Sequence, residues 1–223
     1  MKPILYVGNI NYSSWSLRPY IALRWAGIDF DMVEVNLDQP GYGDYAIAEI
    51  LAFNPAGKVP ALRVGAAVIV DSLAISEWAS ETGSSLYPQD PLARALVRSA
   101  VAEMHSGFAA VRRDLSMNIR RRCKAFGLPA DTVRDIARLD ALFAGHRKYA
   151  AEGPFLFGQR TLADAFFTPV ATRFRTYGIE LSADAQAYCD TLLADAAFLA
   201  WEQMVLAQPV TGFSRANIDG LYT

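Results

Sequence analysis

At the start of the chain, the spacing of the apolar residues changes from one typical of a strand to one typical of a helix, and then back to that of a strand. The short apolar run Ile4–Val7 has the length of a buried strand. A polar loop follows, and residues 20–25 then repeat with the period of a helix that Gly27 ends. Residues 30–35 fit a second strand. This part of the sequence therefore predicts a strand, a helix and a strand.

The next stretch adds a short helix, a hairpin and a further helix. Residues 45–51 fit a short helix after a break rich in glycine. Two apolar runs, Ala61–Val64 and Ala67–Val70, are joined by a tight turn at Gly65, which predicts an antiparallel hairpin. A helix begins near Leu73. The predicted order of elements is βαβαββα.

The composition and the periodicity of the sequence change after this unit. Residues 82–91 combine turn formers and prolines, a composition typical of a domain linker. Beyond them only helical periods occur, and they predict helices over 92–122, 130–150, 162–177 and 183–207. Thr161 and Asp164 have the spacing of a capping box at the start of the third helix. We therefore predict an α/β domain over 1–81, a linker over 82–91 and an all-helical domain over 92–223.

Composition narrows the classes of function. The chain has 223 residues, 52% hydrophobic and 20% charged, which is typical of a folded protein. Its formal net charge of -2 provides no basic field for nucleic acid or anionic lipid. No apolar run approaches the ~20 residues of a membrane span, and residues 1–3 lead into a strand rather than a cleavable signal. We expect a cytoplasmic protein that binds neither nucleic acid nor membrane.

The cysteines and histidines do not have the spacing of a metal site. Cys123 and Cys189 form no CxxC pair, and His105 and His146 do not complete a zinc-binding pattern with them. Free cysteines behave as small buried hydrophobes. We therefore expect two free thiols in the helical part and no metal.

A proline lies directly before the first strand of the predicted hairpin. Residues 54–62 read Asn-Pro-Ala-Gly-Lys-Val-Pro-Ala-Leu. A cis Val59–Pro60 bond would present the amide and carbonyl of Val59 to a peptide lying antiparallel to this edge. Taken alone, the segment favours an ordinary trans proline entering a strand.

Asp71 and Ser72 lie where the hairpin leads into a helix. Ser72 and the helix N-terminus suit a carboxylate, and Asp71 suits an ammonium group. The pair therefore fits the two charged groups of an amino acid. The alternative is that either residue only caps the helix.

The loop before the first helix carries several hydroxyls. Residues 11–16 read Asn-Tyr-Ser-Ser-Trp-Ser. A hydroxyl here could donate to sulfur, and the helix start favours an anion, so a bound thiol would lose its proton more readily. Tyr12 is a rival or auxiliary donor. Tyr6 is a second rival, but its position in an apolar run favours core packing.

These motifs, in this order and spacing, resemble the cytosolic glutathione transferases along the whole chain. The matching stretches are residues 54–62, 71–72, 86–91, 94–95, 158 and 161–164. The resemblance implies an α/β thioredoxin-like N-terminal domain followed by an all-α domain. Residues 13–23 are similar to the serine-type loop of zeta-like members, which usually have cysteine where this chain has Trp15. That departure weakens the analogy with the isomerases of the zeta class.

The resemblance also implies a glutathione site. It assigns stabilisation of the thiolate to Ser13, with Ser14 beside it. Its glutathione-binding residues map onto Lys58, Val59, Pro60, Asp71 and Ser72. Val59 would hold the cysteinyl backbone, Asp71 and Ser72 the γ-glutamyl end, and Lys58 the glycyl carboxylate. Lys58 could equally be a solvated turn residue.

The implied enzyme adds glutathione to a small hydrophobic electrophile and forms a homodimer. Two alternatives are a glutathione-dependent isomerase of an unsaturated acid and a non-catalytic glutathione-binding or scaffold protein. A thiol oxidoreductase would need a cysteine near the first helix, and none is there. We expect the electrophile pocket on the early helix of the second domain, which carries Met104, His105, Phe108, Arg112 and Arg113. The runs 112–113 and 120–122 could attract acids, although basic runs are more typical of a solvated helix face.

Overall fold

The N-terminal part is the predicted βαβαββα unit. A computed structural model describes residues 2–123, 127–149 and 152–210 of the chain. The elements of this part are β1 (Ile4–Val7), α1 (Ser14–Trp25), β2 (Asp31–Glu34), α2 (Ala48–Leu51), β3 (Ala61–Val64), β4 (Ala67–Val70) and α3 (Ser72–Thr82). Both hairpin strands have the predicted bounds, and α3 ends one residue inside the predicted linker.

The four strands form one mixed sheet in the order β2-β1-β3-β4. β1 pairs parallel with β2 and antiparallel with β3, and β3 pairs antiparallel with β4. β1 lies inside the sheet, with Leu5 and Val7 fully buried. Gly65, at φ +60°, makes the turn of the hairpin. This topology is thioredoxin-like, and it confirms the predicted fold class of the N-terminal part.

The described part of the chain beyond the linker is mainly helical. Its helices are α4 (Pro91–Ser106), α5 (Ala109–Asp114), α6 (Ala130–Arg147), α7 (Leu162–Tyr177), α8 (Ala183–Leu193) and α9 (Ala196–Ala207). Isolated bridges between residues 155–159 form a small non-helical turn before α7. The last residues of the predicted domain, 211–223, and position 150 of the second predicted helix lie outside the described residues.

Two predicted helices are each divided. The helix predicted over 92–122 ends at Ser106, because Gly107 is extended and Phe108 adopts a left-handed conformation at φ 58°. A second helix is only six residues long, and residues 115–123 form no regular element. The helix predicted over 183–207 is interrupted at Ala194, where Asp195 caps α9 by accepting from the Ala197 amide at 2.8 Å.

The linker is fixed at both ends. The Leu162 amide donates to the Leu86 carbonyl at 3.1 Å, and Asp90 caps α4 by accepting from the Ala93 amide at 2.7 Å. Arg94 donates to the carbonyls of residues 88 and 89 at 3.0 and 2.9 Å. These bonds explain why an arginine follows the prolines of the linker.

Helix α7 lies at the centre of the molecule. All its residues except Arg175 are buried, and it packs against α1, α4 and α8. One hydrophobic cluster runs from the sheet through α1 into the helical part. The N-terminus of α1, where the serine loop lies, is therefore held between the sheet and the helical part.

Candidate functional site

All seven residues predicted for the site line one open cavity of about 660 Å³. They are Ser13, Ser14, Lys58, Val59, Pro60, Asp71 and Ser72. The volume lies in the range typical of small-molecule sites. Three segments far apart in sequence thus meet at one surface, as the sequence predicted.

The proline edge presents its backbone to the cavity. The Val59–Pro60 bond is cis. Neither the amide nor the carbonyl of Val59 has a hydrogen-bond partner among the described residues. The buried side chain of Asn54 holds the preceding turn, since it donates to the Lys58 carbonyl at 2.7 Å and accepts from the Ala56 amide at 3.0 Å. The turn therefore leaves one donor and one acceptor available at the cavity.

The start of α3 supplies a carboxylate and a hydroxyl. Asp71 caps the helix by accepting from the Leu73 amide at 2.7 Å, which leaves its second oxygen beside the cavity. Its backbone angles, φ 76° and ψ 137°, are unusual for a residue with a side chain, and such outliers cluster at functional sites. Ser72 Oγ is buried and has no partner among the described residues. The start of α3 therefore has a carboxylate oxygen and a hydroxyl that can bind a ligand.

Ser13 caps the first helix and belongs to a chain of hydroxyls. Its Oγ lies 2.8 Å from Ser16 Oγ, which also accepts from the Gly8 amide at 3.1 Å. Ser16 is fully buried, and Ser13 Oγ is the one acceptor that its hydroxyl has among the described residues. Ser16 is therefore best satisfied by donating to Ser13. That orientation frees the Ser13 hydrogen to point toward the cavity.

Ser14 is held from the helical part of the chain. Its Oγ accepts from Arg173 Nη2 at 2.9 Å, and Arg173 also donates to the Leu115 carbonyl. Burial, with a smaller contribution from Arg112, lowers the pKa of Arg173 to about 10. Arg173 lies 159 positions after Ser14 and carries no local motif, so the sequence did not predict its contact with Ser14.

Two further guanidinium groups lie behind the serine loop. The guanidinium carbons of Arg18 and Arg112 are 4.5 and 4.8 Å from the centre of the Trp15 ring, and Trp15 lines the cavity. Arg18 is fully buried, and its Nε and Nη1 have no partner among the described residues. Burial first, then Arg112 and Arg173, lowers the pKa of Arg18 well below its usual value, and Asp71 opposes this. Guanidinium groups keep their charge at neutral pH, so the cluster is a concentrated positive charge.

Only part of the predicted electrophile wall is near the cavity. His105 Nε2 lies 3.6 Å from Asp71 Oδ2, and burial lowers its pKa, so its ring is neutral at pH 7. Met104 and Phe108 are buried in the core. Arg113 is exposed and bonds to two aspartates.

Neither the second basic run nor the rival Tyr6 reaches the cavity. Arg120 donates to carbonyls at the end of α9, including that of Gln208 at 2.5 Å, and Arg122 donates to the Ile119 carbonyl at 2.9 Å. Tyr6 stacks on Phe53 with ring centres 4.0 Å apart, as core packing predicts. Tyr12 does line the cavity.

The loop of residues 41–45 forms another wall of the cavity. The sequence predicted a break at residues 39–43 and a short helix from Tyr45, but α2 begins only at Ala48. Tyr42 and Tyr45 line the cavity, and Lys58 Nζ lies 4.4 Å from the centre of the Tyr45 ring. Gly57 fits beneath this loop, since a Cβ there would lie 1.9 Å from the Tyr45 carbonyl oxygen. The closely spaced glycines and tyrosines of residues 41–45 were the one local signal of this wall.

The fold and cavity define a protein with a thioredoxin-like N-terminal part, a helical part and a hydroxyl-lined cavity in the N-terminal part. The model of the "Glutathione S-transferase, N-terminal domain" family matches residues 12–82. The maleylacetoacetate isomerase of Pseudomonas aeruginosa is 30% identical over 181 residues, which cover 77% of this chain and 82% of that protein. The chain therefore belongs to the glutathione S-transferase family.

Two further proteins show the extent of the similarity. The maleylacetoacetate isomerase of Mus musculus is 44% identical over 99 residues, and the match covers 44% of each chain, less than half of the mouse protein. The holo structure of maleyl pyruvate isomerase, a bacterial glutathione S-transferase in the zeta class, shares the fold with a TM-score of 0.68. It is 24% identical, and the match covers 94% of this chain and all of that one.

Proposed function

We propose that this protein binds glutathione in the cavity and uses its thiolate to isomerise an unsaturated acid. This was the alternative interpretation of the sequence, and it now replaces simple addition as the leading one. Two observations support it: the relatives named as isomerases, and the cluster of three guanidinium groups behind the serine loop. The cluster carries the argument, because it contacts Ser14 and Trp15, which line this chain's own cavity.

Glutathione fits the polar groups of the cavity. The free amide and carbonyl of Val59 suit the cysteinyl backbone, and Pro60 fixes the edge on which it lies. Ser72 Oγ and the first amides of α3 suit the γ-glutamyl carboxylate, while Asp71 suits its ammonium group. Lys58 is the candidate for the glycyl carboxylate. Each charged group of the tripeptide thus has a partner of opposite charge or a hydrogen-bond donor.

Ser13 is the proposed stabiliser of the thiolate. Its free hydrogen and the N-terminus of α1 both favour negative charge on a nearby sulfur. A free thiol with a pKa near ~8.5 is only a few per cent ionised at pH 7, so each unit by which the pKa falls raises the reactive fraction about tenfold until ionisation is complete. Ser14, held by Arg173, couples the same loop to the positive cluster.

The reaction proceeds by reversible addition. The thiolate forms a bond to one carbon of a cis double bond conjugated to a carbonyl, and the π electrons move to that carbonyl as an enolate. The former double bond is then single and rotates. The enolate electrons return, the carbon–sulfur bond breaks and the trans double bond forms. Glutathione is regenerated, with no net transfer of protons or electrons.

The guanidinium cluster fits a substrate that carries carboxylates. Three neighbouring positive charges, those of the buried Arg18 and Arg173 and the half-buried Arg112, repel one another. Among the groups that act on Arg18, the one carboxylate is Asp71. An anion in the cavity relieves this repulsion, and the same field stabilises the thiolate and the enolate. A neutral electrophile gains none of this stabilisation. The tyrosine wall and the apolar lining nevertheless keep addition to a hydrophobic electrophile as the second candidate.

The test supplies glutathione with a cis-configured unsaturated keto diacid and, separately, with its methyl ester. We expect the acid to become the trans isomer only when glutathione is present, while the free thiol concentration stays constant. The ester should react at least about tenfold more slowly, as expected for the loss of an ionic contact worth ~1.4 kcal/mol. Consumption of one thiol per substrate would instead establish conjugation. Normal glutathione binding without either reaction would establish a binding protein.

In this proposal the protein acts as a homodimer in the cytoplasm, as is typical of the family. Dimerisation is expected on α3 and α4.

A further inference from the structure

An irregular segment of the helical part, residues 115–120, is mostly buried although it forms no helix or strand. Its carbonyls are bound to α7. Thr176 Oγ1 donates to the Asn118 carbonyl at 2.8 Å, and the Tyr177 hydroxyl donates to the Ser116 carbonyl at 2.9 Å. The central helix therefore fixes this segment, which we call the anchoring segment.

The anchoring segment in turn binds the serine loop through one residue, Asn11. Asn11 Nδ2 donates to Asn118 Oδ1 at 2.9 Å. The Asn11 side-chain oxygen accepts from the Arg120 amide at 3.1 Å, and its carbonyl accepts from the Ile119 amide at 3.3 Å. These three bonds join positions more than a hundred residues apart, so they connect the helical part to the start of the serine loop.

Asn11 lies two positions before the proposed thiolate stabiliser. The amides of Tyr12 and Ser13 both donate to the Asn9 carbonyl at 2.9 Å, so the loop is a tight turn. On the other flank of Asn11, Trp201 Nε1 donates to the Ile10 carbonyl at 3.0 Å. The helical part therefore holds the turn by hydrogen bonds to residues 10 and 11.

We propose that Asn11 and Asn118 form a positioning pair that sets the distance between the Ser13 hydroxyl and the glutathione sulfur. This inference rests on the proposed function, because it presupposes a thiolate bound at Ser13. Hydrogen bonds weaken steeply with distance and angle, so a small shift of the turn removes the stabilisation of the thiolate. The peptide-binding groups at residues 59 and 71–72 belong to other segments and do not depend on this pair.

The variants Asn11→Ala and Asn118→Leu remove the two halves of the pair without adding charge. Asn11 is partly exposed, so Asn11→Ala is expected to fold even if the buried Asn118→Leu variant does not. The double variant tests whether the two side chains act together. Ser182→Ala is the matched control, because it removes a tertiary side-chain hydrogen bond of 2.7 Å to Asp140, outside the cavity lining.

The measurements are the pKa of bound glutathione from thiolate absorbance, the steady-state constants and deuterium exchange of residues 9–16. We expect each single variant to raise the thiol pKa by about one unit, lower kcat about tenfold at neutral pH and change KM for glutathione by less than about threefold. The double variant should be no worse than either single one. Exchange of residues 9–16 should quicken without ligand, and Ser182→Ala should match the unaltered protein throughout.

The outcomes separate this inference from the proposed function. If the unaltered protein leaves the thiol pKa of glutathione at its free value, the proposed function fails. If it lowers the pKa and both single variants retain that lower value, the positioning pair is wrong, even when their thermal stability falls. Additive effects in the double variant would also overturn the pair.

Discussion

Ser72 is unusual among the buried hydroxyls because it has no hydrogen-bond partner among the described residues. Ser76, one turn later on the same helix, is also buried but donates to the Ser72 carbonyl at 2.7 Å. An unsatisfied buried hydroxyl is unfavourable for folding by about 1–3 kcal/mol, whereas a satisfied one is slightly favourable. Ser72, unlike Ser76, therefore has the unused hydrogen-bonding capacity that is expected of a ligand-binding residue.

Replacing Ser72 by alanine should weaken glutathione binding without destabilising the free protein. A hydrogen bond to a charged group contributes about 1.5–3 kcal/mol, so the Kd should rise about tenfold to a hundredfold. Calorimetry measures the Kd and thermal unfolding measures stability. Ser76→Ala is the control, with a lower Tm and an unchanged Kd. The role of Ser72 would be refuted by a Kd that stays unchanged in Ser72→Ala.

Arg18 is the second residue whose substitution separates binding from stability. A buried charge with incomplete pairing does not favour folding, so Arg18→Met should leave the free energy of unfolding unchanged or raise it. Its loss should lower kcat/KM for the diacid by at least about tenfold, while the methyl ester is much less affected. Parallel losses for acid and ester would show that Arg18 acts on folding or packing and not on substrate charge.

At the scale of elements, helix α7 depends on Asp164. This fully buried carboxylate accepts from the Leu156 amide at 3.0 Å, from the Thr161 amide and hydroxyl at 2.8 Å each, and from the Tyr188 hydroxyl at 2.8 Å. It thus joins the start of α7 to the preceding turn and to α8. The bond to the Thr161 amide is the one that the capping-box spacing predicted.

Asp164→Ala should therefore destabilise the whole fold. It leaves two amides and two hydroxyls buried without their acceptor, and we expect a loss of about 3–5 kcal/mol. Chemical denaturation measures this loss. Asp184→Ala, an exposed acid in the first turn of α8, should lose less than about 1 kcal/mol. A similar small loss for Asp164→Ala would contradict a central role for this carboxylate.

The elements predicted accurately from sequence are those fixed by neighbouring residues. The hairpin of β3 and β4 follows from two apolar runs and Gly65, and the start of α7 follows from its capping residues. The anchoring segment was wrongly predicted to be helical, because its apolar residues repeat along the sequence. Its backbone groups instead bond to Asn11 and α7. Periodicity alone carries no information about such distant partners.

At the scale of the whole molecule, the same distinction applies to the site. The seven predicted residues lie in motifs of a few positions, and all of them line the cavity. Arg173 contacts Ser14 only because α7 packs against α1. Nothing in the sequence distinguishes Arg18 from an ordinary helix residue. Of the three arginines, only Arg112 was considered from the sequence as a residue that could attract acids. Most of the charge of the site was therefore not predicted, although its hydroxyls and its proline edge were.

The proposed homodimer is a second property of the whole molecule. Leu92, in the first turn of α4, is 66% exposed, and Val70, just before α3, is 38% exposed. Sedimentation at micromolar concentration should give twice the chain mass of 24.4 kDa. Leu92→Glu should dissociate the dimer. A single-chain mass for the unaltered protein would contradict dimerisation, and a stable dimer of Leu92→Glu would place the interface elsewhere.

The thiolate is the centre of the proposed chemistry, and its formation at Ser13 is directly measurable. Titration of the thiolate absorbance of bound glutathione should give a pKa at least about one unit below the ~8.5 of a free thiol. Ser13→Ala should raise this pKa by about one to two units, the range expected for a hydrogen bond to a charged acceptor. A pKa that Ser13→Ala leaves at its lowered value would contradict the account.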